Sequence, residues 1–454
     1  MNKALFDYYQ CPEEYLDFRI EREHTNDPGY FKFGPNTICF GSLSSGKTSK
    51  SPHEHIHDIT EDIKIVGKVC YLPFDPTSVV DNLRLERYVD GLHKNLAANA
   101  ITRDLYYALR PMMPVGIRKR LQRRHFRGWE NIRFPQWPLD RTVERVFQGL
   151  MKLAIKARGA TRIPFVWFWP EGFRSCAIVT HDVESAAGLD SCNSLMDIDD
   201  SYNIKSSFQL IPQGRYSVSS QFLRDMRSRG FETNIHDLTH DGHLYNTHSQ
   251  FVLRAQQINI YAKEFEAKGF RSGQLYRNQE WYKNLDFSYD MSVPNVAHLD
   301  PQRGGCCTVT PYFIGEILEL PVTTTQDYQY IHILGHSTIE PWKQQIALIL
   351  ECNGLASFLA HPDYLLRVPE QNLYKMLLAH LSALRANEKM WIALPREVDT
   401  WWRLRSQMRI VQEGTGWKIT GPGSERARLV YASLSADNLV YRDEQDHEIN
   451  KFSG

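Results

Sequence analysis

The chain has 454 residues, with 53 basic and 53 acidic side chains, so its formal charge is zero. That balance excludes a protein whose main task is to coat nucleic acid, which needs a basic excess. With 42% hydrophobic and 23% charged residues the composition is globular, neither disordered nor fibrous, and the length suits roughly two or three domains.

The N-terminal residues carry acids and aromatics where a secretory signal needs an apolar run. No stretch reaches the roughly 18 apolar residues of a membrane span, and the most apolar run, IPFVWFW at 163–169, is far shorter. The eight cysteines form neither repeated C-x-x-C pairs nor a dense framework. They read as reduced thiols, which predicts a cytoplasmic protein.

Residues 1–170 predict a mixed, irregular α+β region. Short β-like pieces stand at 37–40 and 63–66, helical spacing runs over 79–109, and a second helix over 139–156 has Asp140 as its cap. Residues 117–127 carry six Lys or Arg and no acid. From 173 to 400 the pattern changes to alternation. Strand-like runs at 176–180, 206–211, 231–236, 287–291, 316–323, 355–361 and 390–394 are interleaved with helical runs at 219–229, 249–268, 341–350 and 371–386. Alternating β and α segments predict parallel strands in a barrel or open sheet, with reactive residues at the strands' C-terminal ends. Residues 401–454 read as a small β module of two hairpins, at 408–420 and 427–443.

Four pieces in this alternating region carry chemistry. Thr180-His181-Asp182-Val183-Glu184 brings two carboxylates out at a strand end, and His236-Asp237-Leu238-Thr239-His240 follows another strand. Two histidines four apart share a face if the segment turns helically. Imidazoles with a carboxylate suit Zn²⁺ or a similar divalent ion. Gly269-Phe270-Arg271-Ser272-Gly273 is the third piece, and Leu359-Ala360-His361-Pro362-Asp363 closes a buried-looking strand. Each is weak alone. Their order and strand-end placement make them stronger together.

On these residues the chain resembles the NodB-like polysaccharide deacetylases, a carbohydrate esterase family of distorted (β/α) barrels. The family's T-F-D-D-G is similar to residues 180–184, its H-x-x-x-H to His236 and His240, its R-x-P in part to Arg271, and its L-x-H to Leu359-Ala360-His361. The resemblance spans about half the chain, roughly 173–395. It implies a metal-dependent hydrolase that removes an N-acetyl group from a sugar or polysaccharide precursor in glycan or exopolysaccharide metabolism. A divalent ion, Zn²⁺ first with Co²⁺ or another as alternatives, would sit on Glu184, His236 and His240. Asp182 would be the base, Arg271 its orienting partner and His361 the proton donor, with Asp290 nearby.

The departures matter as much. The family's second aspartate is Val183 here, and the next carboxylate is Glu184. Either Asp182 keeps the base role while Glu184 reaches the metal, which is preferred, or Asp182 binds the metal and the base comes from elsewhere. Loss of activity is the third outcome, and it leaves a binding or scaffold protein of the same fold as the alternative function. The family's proline after the arginine is missing as well.

Three other signals compete. Gly41-Ser42-Leu43-Ser44-Ser45-Gly46-Lys47-Thr48 matches a phosphate-binding loop, but Pro52 follows too soon for the helix such a loop needs, so a surface loop is preferred. His53, His55 and His57 would share one face of an extended chain; a solvated segment is the preferred reading. Residues 112–129 mix basic and apolar side chains. They would either lie peripherally on an anionic membrane or, as preferred, pack with the basic face in water. No nucleic-acid partner is expected.

Overall fold

The apolar run at 176–179 forms the middle of β1 (Ser175–Val183), every residue of which is buried. The computed structural model describes residues 3–21, 27–89, 124, 126–387 and 389–451. Beside β1 stand β2 (Ser207–Leu210), β3 (Glu232–His236), β4 (Gly269–Arg271) and β5 (Tyr289–Asp290), all parallel. A hairpin of β6 (Tyr312–Ile314) and β7 (Ile317–Glu319) adds to β5 through β7, and β8 (Leu355–Ala360) and β9 (Met390–Ile392) return to β1. The order is β6-β7-β5-β4-β3-β2-β1-β8, with β9 also on β1. Parallel strands covered on both faces need apolar residues at nearly every position, which is the composition of β8 and of the stretch 176–179 in β1.

The sheet is a distorted (β/α) barrel, and two features give the distortion. First, one edge of β1 is divided: Ser175 to Ala177 pair with β9, while Thr180 to Val183 pair with β2. Second, the gap between β7 and β8 is closed by side chains instead of a ladder. Beyond β7, the Thr323 hydroxyl donates to the Leu355 carbonyl at 2.6 Å and accepts from Ser357 N–H at 2.9 Å, while the Thr324 hydroxyl donates to the Ser357 carbonyl at 2.7 Å.

Helices α1 (Ala186–Ser201), α2 (Ser220–Ser228), α3 (His248–Glu264), α4 (Glu340–Glu351), α5 (Val368–Ala386) and α6 (Pro395–Gln407) pack around this sheet. Side-chain hydroxyls of Ser185, Ser219 and Thr247 cap the first three by accepting from backbone N–H groups in the first turn. The spacing of apolar residues anticipates α2 to α5. It does not reveal α1, where few apolar side chains are buried (Cys192, Leu195 and Met196), or α6.

The N-terminal region holds a short helix (Lys3–Tyr9), a three-stranded sheet (Phe18–Ile20, Lys64–Val66, Val69–Leu72), a hairpin (Gly29–Lys32 with Ile38–Gly41) and helices Pro76–Arg84 and Thr142–Arg158. Asp140 sits just before the last of these and accepts from Thr142 N–H at 2.8 Å. Of the helical spacing read over 79–109, the described part is helical to Arg84, and the part from 90 onward lies outside the described residues, as does most of 112–129 and of 117–127.

The tail's two hairpins are present, but the second does not stand alone. Its strand Leu429–Ser435 pairs antiparallel with Arg162–Val166. The apolar run at 163–169 is thereby explained. Ile163, Phe165, Trp167, Phe168 and Trp169 lie in one cluster with Leu5 and Tyr9 of the first helix, Phe147 and Leu150 of the helix Thr142–Arg158, Trp401 of α6 and Leu439 and Tyr441 of the tail. Arg405 of α6 is 1% exposed and donates to the carbonyls of Tyr8, Val166 and Trp167.

Candidate metal centre

The C-terminal ends of β1, β3, β4 and β8 meet at one place. Successive side chains of an extended strand alternate faces, so residues two apart share one. Asp182 and Glu184 are two apart at the end of β1, and both reach the centre. Val183 between them turns the other way, into the apolar cluster that holds Cys192 and Leu195 of α1. The carboxylate lost at position 183 is therefore supplied from the next position on the same face.

His236 ends β3, but no helical turn brings His240 to it. The segment is a loop with Asp237 and His240 at positive φ, 58° and 54°. The strain is held by Asp237, whose carboxylate accepts from Leu238 N–H at 2.6 Å and from Gly273 N–H at 3.2 Å. Gly273 is where the family's proline would stand. A Cβ there would lie 2.6 Å from the Asp237 carboxylate and 3.0 Å from the His240 ring, and proline has no N–H to donate. The departure from R-x-P is thus matched to this histidine loop.

Glu184, His236 and His240 each offer a ligand atom within 4.8 Å of the others. Glu184 Oε1 lies 2.9 Å from His240 Nε2 and 3.8 Å from His236 Nε2. Both Nε2 atoms are buried, and neither makes a well-directed hydrogen bond, although Glu184 lies beside them. His236 Nδ1 lies 3.1 Å from the Arg271 carbonyl, which can only accept, so Nδ1 carries the proton and Nε2 presents its lone pair to the centre. His240 Nδ1 faces the Gln274 amide at 3.3 Å. With that amide turned so that its oxygen faces the ring, Nδ1–H gains an acceptor and the otherwise unpartnered Gln274 Oε1 is satisfied. Two imidazoles and one carboxylate, their ligand atoms converging in a buried place, fit a divalent cation with an open position.

Asp182 and His361 flank this trio. Asp182 Oδ1 accepts from Arg271 Nη1 at 2.8 Å, and its Oδ2 lies 3.7 Å from His236 Nε2. Arg271, fully buried, also donates to the Met291 carbonyl at 2.9 Å and to the Thr180 hydroxyl at 2.8 Å. Burial alone would raise the Asp182 carboxyl, but Arg271, then His236 and His361, outweigh it and hold it below the ordinary range. Burial likewise opposes ionisation of Glu184, yet the imidazoles around it, His240 first, hold it well below that range.

His361 follows β8. Its Nε2 lies 3.6 Å from Glu184 Oε1, and its Nδ1 and backbone N–H each bond to the Asp327 carboxylate at 2.7 Å. Burial would lower the imidazole, but Asp327 first, and Glu184 after it, lift it well above its ordinary value. Asp290 on β5 accepts from Ser292 and Tyr282, and burial raises it to about 7 against the pull of Ser292 and Arg271. Asp327 escapes the sequence reading; its one signal is a carboxylate a few residues beyond a strand.

The other signals do not converge. No helix follows Thr48: Ser49 instead exchanges backbone bonds with Tyr30 at 2.7 and 2.8 Å, and Lys47 is exposed. His57 pairs with Asp62 at 2.9 Å, and His53 and His55 are exposed. Among the described residues, Glu184, His236 and His240 are the one group placed to hold a metal.

No family model matches the chain, and no curated protein does. Among solved structures it is similar to a protein assigned as a polysaccharide deacetylase from Mycobacterium smegmatis, at 17% identity over 55% of this chain and 98% of that one, with a TM-score of 0.44. Another so assigned, from Pseudomonas aeruginosa PAO1, matches at 13% identity over 52% and 93%, with a TM-score of 0.41. A family 4 acetyl xylan esterase from Clostridium thermocellum, in complex with a cobalt ion, matches at 17% over 50% and 91%, with a TM-score of 0.32.

Proposed function

We propose that this chain is a metal-dependent hydrolase that removes the acetyl group from an N-acetylated sugar or glycan precursor. The observation that carries the reading is the convergence of Glu184, His236 and His240 on one point, with a pinned carboxylate on one side and a carboxylate-backed imidazole on the other.

A divalent ion, Zn²⁺ by the donor set, would supply polarisation of the acetyl carbonyl and a lowered pKa for a water beside it. Asp182 is the base. Arg271 occupies its Oδ1 and leaves Oδ2, which faces the trio, to take the proton of the attacking water. His361 is the acid. Asp327 fixes its Nδ1 and leaves Nε2 directed at the centre, to protonate the departing amine. The balance is one water consumed, one C–N bond broken, and acetate and a free amine formed. Asp182 gains a proton and His361 loses one in each turnover.

The test is acetate release from N-acetylglucosamine and its β-1,4-linked oligomers by protein reconstituted with Zn²⁺ or Co²⁺, with and without a chelator. Release that stops on chelation is expected. Protein that takes up neither ion rules the reading out. Protein that binds metal but releases no acetate from N-acetylated sugars reduces it to the binding or scaffold role.

A further inference from the structure

One buried histidine beside the centre takes no part in the chemistry above. His181 stands where the family motif has phenylalanine, one residue before Asp182. Alternation along β1 turns it away from the centre, onto the face of Val179 and Val183, which lie in the buried cluster shared with α1 and α5. It is fully buried, its ring centroid 4.8 Å from that of Phe208. A phenylalanine would suit these surroundings, whereas a buried imidazole is costly without polar partners. His181 has two, both buried: Asp199 in the last turn of α1 and Tyr374 on α5. The Tyr374 hydroxyl lies 3.3 Å from His181 Nε2 and donates its proton to Asp199 Oδ1 at 2.6 Å. Toward the imidazole it can therefore only accept, so Nε2 carries the hydrogen. Asp199 Oδ2 lies 3.5 Å from the same nitrogen and accepts from the Ser206 hydroxyl at 2.6 Å. His181 Nδ1 makes no bond, so the attachment runs through Nε2.

The place of this attachment gives it a task. β8 pairs with Cys176 to His181 of β1 and ends there, at Ala360. Asp182 and Val183 are paired with β2 alone, and Glu184 follows the last paired residue. On the β2 side the Tyr216 hydroxyl extends the hold by donating to the Val183 carbonyl at 2.5 Å. The base and the ligand thus stand on a strand end that β8 no longer holds, and His181 is the last residue paired on both sides. Resting on the deacetylase reading above, we infer that His181 is a positioning residue. Through Asp199 and Tyr374 it ties the end of β1 to α1 and α5, and so sets where Asp182 and Glu184 stand at the centre. A phenylalanine would fill the same space without a directed bond.

Variants of the full chain loaded with Co²⁺ test this. His181→Phe keeps a ring and loses the bond, whereas His181→Gln keeps an N–H where Nε2 stands. In His181→Phe, kcat for acetate release from N-acetylglucosamine oligomers should fall about 10-fold with KM unchanged, and His181→Gln should regain most of it. Asp199→Asn should lower kcat comparably, and the double variant with His181→Phe no further, because both cut one attachment. Glu184 shares the strand end, so the visible absorption of bound Co²⁺ should change in His181→Phe and return in His181→Gln, a reading that needs no turnover. Tyr374→Phe removes the hydroxyl that accepts from Nε2 and should move both readouts the same way by less; it decides the question if His181→Phe does not fold. A kcat and spectrum unmoved by these changes, a Gln variant no better than the Phe variant, or losses that multiply in the double variant overturn the role. The two proposals fail separately. Acetate release indifferent to residue 181 removes the positioning role alone, whereas a Co²⁺ spectrum that follows residue 181 in a chain releasing no acetate removes the hydrolase alone.

Discussion

Two buried clusters in this molecule are made from the same kinds of group and are finished differently. Glu86, from the N-terminal region, and Arg277, from the barrel, are both fully buried in their side chains. Each guanidinium nitrogen of Arg277 has an acceptor: Nε and Nη2 on the two Glu86 oxygens, and Nη1 on the Leu275 carbonyl. Glu86 also accepts from Gly305 N–H at 2.5 Å. At the strand-end centre, Arg271 and Asp182 make a comparable pair, yet Nη2 of Arg271 is unpaired and Nε2 of both His236 and His240 make no well-directed bond to the Glu184 carboxylate beside them. Leaving a buried polar atom unpaired costs about 1–3 kcal/mol. A satisfied cluster is accounted for by holding the chain together. A cluster in which two imidazole nitrogens and a carboxylate converge on one point is suited to a cation from outside the chain.

The sharpest way to break this contrast is to remove a ligand. Glu184→Ala is expected to reduce bound Zn²⁺ or Co²⁺ from about one ion per chain to almost none, read by elemental analysis after dialysis. Adding Val183→Asp to that variant, which restores the family's carboxylate position, should not restore the metal. Side chain 183 faces the apolar cluster behind the strand, and a charge there would destabilise the fold instead. Metal recovery in the double variant would show that the alternation of faces at the end of β1 is misassigned.

Asp182→Asn separates binding from chemistry. Asparagine keeps the shape and loses the base, so kcat for acetate release should fall by about 10²- to 10⁴-fold while metal content stays near that of the parent. Equal loss of both would make Asp182 a ligand, the alternative assignment.

These residues were legible because all but Arg271 close or follow a short β-type run, and the alternation of β and α runs says that such ends gather. Asp182, Glu184, His236, Arg271 and His361 needed only local pattern to be singled out, and the barrel brings them together. What was illegible is what pairs across long stretches of chain. Asp327 meets His361 from a segment that is neither strand nor regular helix, so no periodicity marks it. The tail hairpin Leu429–Ser435 with Asn438–Arg442 is local and was visible, whereas its partner strand Arg162–Val166 lies on the far side of the barrel in sequence. Glu86 looked like any surface acid. A helical turn and a loop both fit the spacing of four between His236 and His240, and only the positive φ values decide between them.

Glu86→Gln sharpens the other side of the comparison. Removing one partner of a buried, fully bonded pair leaves the other uncompensated, so the free energy of unfolding in urea should fall by about 3–5 kcal/mol. Replacing both partners, Glu86→Met with Arg277→Leu, should recover much of that, since neither charge is then stranded. If the double variant is as unstable as the single one, the pair contributes more than mutual compensation.

The smallest effect expected is also the most specific. Burial depresses the His361 imidazole, and the Asp327 carboxylate overcomes that depression. In Asp327→Asn the carboxylate charge goes and only one of the two bonds from His361 keeps an acceptor, so the imidazole loses its proton at lower pH. As the acid in the proposed reaction it must be protonated, and the basic limb of the kcat/KM profile should therefore move toward acid. The acidic limb, set by Asp182 beside Arg271, should not move. The same linkage acts on stability. A group whose folded pKa is raised stabilises most below its unfolded value and loses that contribution as pH rises through the folded one. The metal-free parent should thus lose stability on the alkaline side relative to neutral pH, and Asp327→Asn should flatten that decline. A basic limb that stays in place, with an unflattened decline, would detach Asp327 from the centre and return it to the class of Glu86, a buried acid that only holds the chain together.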